Sequence, residues 1–237
     1  MALSKGDFLE IDFTGRIASS MEVFDTSLEQ VARDGKVFKD DYRYGPVLVI
    51  VGAGMVVKGL EQRLMAMETG QETTFTLQPE QAFGPRHAGL VRLVPEAKFH
   101  EKKIEPYPGL FVDIDDMPAK VMSVASGRVR IDFNHPLAGR ELHYWVKVIR
   151  KLEQPREKLE GLLRHYGVDG AVKAYGSKLT ITLDLPDKLP NNVREAITGT
   201  IKRDAAKWLP DMTLEFPERA PPAAASAGKV EAPQPTP

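Results

Sequence analysis

Apolar residues recur with a period of two in much of this chain and with a helical period in only a few places. Residues 8–17 alternate, with Leu9, Ile11, Phe13, Gly15 and Ile17 on one side and Glu10, Asp12, Thr14 and Arg16 on the other. That is a half-buried strand of an antiparallel sheet. Residues 22–27 predict a second short strand that pairs back on the first. Residues 47–51 are a largely β-branched run ending at a Gly-Ala-Gly turn. Within residues 55–68, Val57, Leu60, Leu64 and Met67 stand at offsets 0, 3, 7 and 10, one face of a helix. Thr69-Gly70-Gln71 ends it, and Thr73, Phe75 and Leu77 alternate as another strand. So short a helix cannot cover a large parallel sheet. It suits a strongly curved sheet whose concavity the helix fills.

Residues 78–89 carry Pro79, Gly84, Pro85 and Gly89 and predict a loop, with Phe83 as its one large apolar residue. Residues 91–94 form a short strand stopped by Pro95. Residues 99–133 read as a small β-unit with strands at 110–114, 119–125 and 128–133, joined by turns at 115–118 and 126–127. A loop at 134–139 leads to a long strand at 141–152, where Leu142, Tyr144, Val146 and Val148 share a face. Gln154-Pro155 marks a boundary. Beyond it come a helix at 156–166 closed by Gly167, a hairpin at 172–185, a helix at 193–208 with Asn191 and Asn192 as its N-cap region, and a strand at 212–216. Residues 28–44 are charged and weakly patterned, a surface excursion with a helical turn at 28–33. The tail from Pro217 is rich in Pro and Ala and is expected to be disordered. The fold class is α+β: an antiparallel half-barrel sheet wrapped on a short helix, an inserted small β domain and a C-terminal α+β domain.

Composition narrows the function. The 237 residues are 42% hydrophobic and 27% charged with a net charge of −1, so no basic field draws the chain to nucleic acid or an acidic membrane. Without cysteine, thiol chemistry is excluded and zinc could use only His and carboxylates. The five histidines are scattered, so neither a metal nor a cofactor is expected. The Gly-Ala-Gly turn lacks the Lys-Ser/Thr of a phosphate loop and the spacing of a dinucleotide fingerprint. No segment has the length of a membrane span, the N-terminal residues have no apolar signal region, and a cytoplasmic location is expected.

One set of residues is more specific. Phe13, Phe24-Asp25, Val47-x-Val49, Val56-Val57-x-Gly59-Leu60-Glu61, Ala82-Phe83-Gly84 and Tyr144 stand in an order and spacing that resemble the FKBP-type peptidyl-prolyl isomerases. The resemblance covers residues 3–153. The insertion closed by Asn134-His135-Pro136-Leu137-Ala138-Gly139 is similar to the SlyD-like subgroup, in which a β-rich flap insertion binds unfolded chains. The C-terminal extension resembles long archaeal members. This resemblance implies an isomerase domain of residues 1–85 and 134–154, an inserted chaperone domain at 86–133, a C-terminal domain at 155–217 and a tail at 218–237.

It also implies a site. Phe13, Phe24, Val47, Val49, Val56, Val57, Leu60 and Tyr144 would form an apolar cup with Leu60 as its floor, Asp25 at its rim and Phe83 on the adjoining loop. A carboxylate against such a cup has a raised proton affinity unless it is hydrogen-bonded. Val57 N–H, at the helix start, would donate to the substrate carbonyl. Three departures stand out. Position 83 is Phe where many relatives have Tyr, positions 47 and 60 are aliphatic, and the usual loop His has no evident counterpart. Each bears on macrolide binding more than on isomerisation.

In the inserted unit, Leu90, Leu93, Phe99, Tyr107, Met117 and Met122 are candidates for binding unfolded polypeptide, since a domain of about fifty residues buries its apolar surface incompletely. Ile114, Val121, Val124, Val129 and Ile131 are assigned to its core. Expected partners are unfolded or proline-containing polypeptides, and Trp208 and Phe216 offer a homodimer contact through the C-terminal domain. The alternative function is a binding-only holdase whose barrel has little activity.

Overall fold

A computed structural model describes residues 3–186 and 189–216. The chain divides into two compact units, Met1–Glu153 and Gln154–Pro237.

The first unit begins with β1 (Phe8–Ile17), β2 (Val23–Thr26), α1 (Glu29–Asp34), β3 (Val47–Ile50), α2 (Lys58–Met65) and β4 (Glu72–Leu77). It continues through β5 (Val91–Pro95), α3 (Ala97–Glu101), β6 (Phe111–Ile114), β7 (Met117–Ala125), β8 (Arg128–Asp132) and β9 (Leu142–Leu152). Its five-stranded antiparallel sheet runs β2-β1-β9-β4, and β3 also pairs with β1. β1 shares one edge between two partners: Phe8 to Ile11 face β3, and Thr14 to Arg16 face β2. Its other edge pairs with β9 along its whole length. Register shifts at Glu10/Ile11 and Gly15/Arg16 bend β1, which curves the sheet.

α2 supplies Leu60 and Leu64 to the core that the sheet lines with Leu9, Ile11, Val49 and Val146. The helix is shorter than its periodicity predicts. Residues 55–57 stay outside it, and Val57 is its extended N-cap, with φ −60° and ψ 147°. Gly52 and Gly54 adopt φ of +82° and +71°, a turn that bulkier residues resist. Glu61 reaches back from the helix to accept both their N–H groups, at 2.8 and 3.3 Å. The polar face predicted for β1 is also less exposed than alternation implies. Glu10 is buried against Arg150 at 2.7 Å, and Thr14 shares a 2.9 Å hydroxyl hydrogen bond with Thr26.

Between β4 and β9 the chain builds a second, four-stranded sheet in the order β5-β8-β7-β6. Both of its tight hairpins have paired residues at positive φ, Asp115-Asp116 and Ser126-Gly127, as two-residue hairpin loops require. The first turn is therefore Asp115-Asp116 alone, and Met117 and Pro118, predicted as turn, open β7. The core of this sheet holds Phe99, Val112, Val121, Val129 and Ile131, with Ile114 and Val124 packed against it. Phe99 is fully buried. The helix α3, too short to leave a periodic signal, turns its ring inward, so Phe99 belongs to the core and not to a binding surface.

The two strands of chain that lead to and from this sheet are tied together. Gly139 N–H donates to the Gly84 carbonyl at 2.8 Å and Phe133 N–H to that of Leu90 at 3.0 Å. Asn134 bonds both backbone groups of His87. Arg86 reaches Asp132 at 2.5 and 3.0 Å. Burial pushes the Asp132 pKa up, but the hydrogen bonds from Arg86 and Asn134 outweigh it and hold the carboxyl below its usual range.

The second unit contains α4 (Pro155–His165), β10 (Asp169–Tyr175), β11 (Lys178–Asp184), α5 (Asn191–Trp208) and β12 (Thr213–Glu215). β11 is the centre of its three-stranded sheet, antiparallel to β10 and parallel to β12. α5 is capped by Pro190 and not by the asparagines, which lie inside the helix. The tail expected to be disordered lies outside the described residues. Among the described residues, no helix is long and apolar enough to cross a membrane.

Candidate functional site

Register places four residues in one row across the first sheet. Asp25 on β2 is opposite Gly15 on β1, Gly15 is opposite Tyr144 on β9, and Tyr144 is opposite Phe75 on β4. Gly15 points toward the concave face, where it has no side chain to offer. The Phe24 ring fills that space: a Cβ on Gly15 would lie 2.4 Å from its Cζ. Phe24 then meets Tyr144 edge-on, with ring centroids 5.8 Å apart and planes at 84°. Phe75 stacks on the same Tyr144 at 6.1 Å.

Around this row the remaining predicted residues converge. Val49, Leu60 and Tyr144 are buried in the core. Phe13, Phe24, Val47, Val56, Val57 and Phe83 pack against the same cluster while staying partly accessible. The result is a partly accessible apolar cluster to which β1, β2, β3, β9 and the segment entering α2 all contribute. Val57 N–H lies ahead of the α2 hydrogen-bond ladder, since the first helical bond from this end is Glu61 N–H to Val57 C=O at 3.0 Å.

Two ionisable groups border the cluster. Asp25 is exposed at the rim, yet partial desolvation by its neighbours pushes its pKa up, against the Thr26 N–H and the charge of Lys39, which lower it. The Tyr144 phenol is pushed well above its ordinary value, first by burial and then by the charge of Asp25. Among the described residues no hydrogen bond engages the Tyr144 hydroxyl, so a neutral O–H donor faces this end of the site.

Phe83 is held by a short 3₁₀ turn, Pro79–Gln81, in which Gln78 and Gln81 form a reciprocal cap. Its ring stacks flat on His135, centroids 4.2 Å apart and planes at 3°. His135 belongs to the loop that closes the insertion. The sequence reading found no histidine for this region, because His135 lies far from Phe83 in the chain and only the return of the loop brings them together. Alternation marks Phe75 only as a strand residue, and it is the register with β9 that brings it to Tyr144.

The candidates in the second sheet separate. Leu93, Tyr107, Met117 and Met122 are exposed, Leu90 is half-buried in the tied crossing, and Phe99 is core. Phe111, which the sequence reading passed over, is 60% exposed, with the Lys120 ammonium 5.4 Å from its ring centroid. Phe111 and Met122 line a cleft of about 450 Å³ that runs back to Arg86, Asn134, His135 and Arg140.

Comparison with known proteins bears on this arrangement. The model of the FKBP-type peptidyl-prolyl cis-trans isomerase family matches residues 1–100, and that of the FKBP26 IF domain matches residues 92–137. The chain is 36% identical over 146 residues to the short-type peptidyl-prolyl cis-trans isomerase of Methanocaldococcus jannaschii, an alignment that takes in 62% of this chain and 92% of that one. It is 32% identical over 129 residues to the FKBP-type 16 kDa peptidyl-prolyl cis-trans isomerase of Escherichia coli, covering 52% of this chain and 80% of that one. With the FKBP-type peptidyl-prolyl cis-trans isomerase SlyD of Treponema pallidum it shares 29% over 150 residues, 61% and 85% of the two chains.

Proposed function

The chain belongs to the FKBP-type peptidyl-prolyl cis-trans isomerases, and on that premise we propose that the apolar cluster around Tyr144 turns over X-Pro bonds while the inserted sheet holds unfolded polypeptide. The observation that carries this reading is the convergence of Phe13, Phe24, Val57, Leu60 and Tyr144 on one partly open apolar cluster.

Rotation about X-Pro breaks amide resonance and meets a barrier of about 18–20 kcal/mol. Water stabilises the planar, charge-separated amide. An apolar cup withholds that stabilisation and so favours the twisted amide, which carries less charge. No nucleophile and no general acid are needed. The cup takes the proline ring, with Leu60 beneath it. Val57 N–H donates to the substrate carbonyl. Asp25 acts as an acceptor or local dipole at the rim. Phe83 supports the loop without a phenolic hydrogen bond of its own, and the neutral Tyr144 hydroxyl remains as a donor.

Unfolded chain would lie along the exposed apolar residues of the second sheet. Phe111, Met117 and Met122 give it an adaptable surface, because methionine repacks at little cost. His135 lines the cleft beside Phe111 and Met122 and also stacks on Phe83, so the cleft leads to the cup. Binding there raises the local concentration of prolines at the cup.

The deciding measurement is the slow, proline-limited refolding of a test protein with catalytic amounts of the full chain. Acceleration is expected, and its loss in an Asp25→Ala, Leu60→Ala double variant places turnover in the cup. Acceleration retained by that variant would overturn the site assignment. Suppression of aggregation by the full chain, followed by light scattering, tests the inserted sheet. A chain that leaves aggregation unaffected would end that part of the reading.

A further inference from the structure

Residues 28–44 read in sequence as a charged, weakly patterned surface excursion with a helical turn at 28–33. In the structure they form an aromatic wall. Phe38 stacks on Tyr44, centroids 5.2 Å apart, and Tyr42 meets Tyr44 edge-on at 4.9 Å. Together with Phe24, Asp25 and Lys39 these rings line a groove of about 350 Å³. That is within the range of small ligand sites, roughly 300–1,000 Å³.

The wall is braced before any ligand arrives. The Arg33 guanidinium sits 3.6 Å from the Phe38 ring centroid. The Tyr44 hydroxyl accepts the Lys39 N–H at 3.0 Å. Gly45 N–H donates to the carbonyl of Ser27, and the Ser27 hydroxyl donates to Asp12 on β1. A groove fixed in this way loses little conformational entropy on binding.

Its occupant follows from continuity. Phe24 and Asp25 belong both to this groove and to the cup. Adjacent residues of a polypeptide have Cα atoms about 3.8 Å apart. A chain with its proline ring in the cup therefore brings the neighbouring residue to the groove, where Phe24, Phe38, Tyr42 and Tyr44 offer ring faces and Asp25, Lys36 and Lys39 supply the polar part of the lining. We propose that the groove formed by Phe38, Tyr42 and Tyr44 beside Phe24 is a specificity subsite, which takes a large apolar side chain next to the substrate proline. This rests on the cup holding the proline ring.

The test compares kcat/KM, by exchange spectroscopy of the cis and trans peptide signals, for tetrapeptides with Phe, Leu or Ala next to proline, placed before it in one series and after it in another. With the full chain, Phe or Leu on one side is expected to exceed Ala by about tenfold, the gain that a few buried carbons give in a pocket. Tyr42→Ala and Phe38→Ala are expected to reduce that ratio to below about threefold, whereas Tyr42→Phe, which keeps the ring, retains it. A full chain without the preference, or a preference that survives both truncations, overturns the proposal. So does the absence of larger ring-proton shifts at Tyr42 and Tyr44 with Phe-flanked than with Ala-flanked peptide, a measurement that needs no variant. Failure of the cup reading looks different: Tyr144→Ala and Leu60→Ala would then leave turnover of every peptide unchanged.

Discussion

The Phe24 ring occupies the place of the side chain that Gly15 lacks, with the nearest ring carbon 2.4 Å from where a Cβ would stand. Gly15 thus acts on the site by absence. Its strand neighbours are Asp25 and Tyr144, so the gap lies between the rim carboxylate and the central phenol. Gly15→Ala is expected to push Phe24 out of its edge contact with Tyr144. Overpacking of this kind costs about 1–3 kcal/mol, to be read from urea denaturation, and kcat/KM for a Pro-containing peptide falls with it. In Gly15→Ala, Phe24→Ala the collision is gone, so the two losses of stability should sum to more than the double variant shows.

The Asp25 carboxyl gives a pH signature. Its pKa is raised in the folded protein, chiefly by partial desolvation at an exposed rim where water screens most of the effect. Over a narrow pH window the native state thus holds a proton that the unfolded chain releases, and the effect on stability is small. Stability from this group is therefore highest below its unfolded value. It is lost as pH rises from there through the raised folded pKa. Asp25→Asn removes the penalty. The variant is expected to have a higher urea midpoint than the parent at pH 7, and the gain should vanish below the ordinary Asp value of about 3.9. A gain of equal size at both pH values would mean that the carboxylate charge is not its source.

The strands and the helix that carry the cup were legible from their periods, whereas the cup itself was readable only through the resemblance of its residues, in order and spacing, to the FKBP-type isomerases. β1 occupies the residues its alternation marks, and β9 begins one residue later than read. What alternation cannot supply is register. The row of Asp25, Gly15, Tyr144 and Phe75 depends on how four strands slide against one another, and no local pattern encodes that. The stacking of Phe83 on His135 depends likewise on where the insertion returns. The aromatic wall is illegible for another reason: Phe38, Tyr42 and Tyr44 are spaced for neither helix nor strand, and only the folded excursion brings their rings together. Phe99 was misplaced because a five-residue helix gives no periodic cue to which side is inward.

The ties at the crossing into the inserted sheet predict a local effect. Asp132 accepts hydrogen bonds from Arg86 and from both the backbone and side chain of Asn134. Its pKa is lowered, so the stabilisation is present above the unfolded carboxylate value and is lost as pH falls through the folded one. Arg86 is half-exposed, which screens its share of the pairing. Asp132→Ala is expected to cost about 1 kcal/mol. Amide exchange should quicken at residues 85–90 and 132–139 before it does in β9. Uniform acceleration through the first unit would mean that Asp132 supports the whole fold and not the crossing alone.

The exposed apolar residues of the second sheet allow the proposed holding of unfolded chain to be tested apart from turnover. Phe111 and Met122 share a cleft with His135, yet neither belongs to the cluster around Tyr144. Substituting both by Ser removes apolar surface that is already in contact with water, so the fold should lose little, within about 0.5 kcal/mol. Suppression of aggregation should fall severalfold in this variant. Acceleration of proline-limited refolding should fall too, because an unfolded protein reaches the cup more often when it is held nearby. A tetrapeptide is too short to span cleft and cup, and its turnover should change far less than either. Equal losses for tetrapeptide and protein substrates would show that the cleft acts on the chemistry of the cup itself, and the division of labour between the two sheets would have to be abandoned.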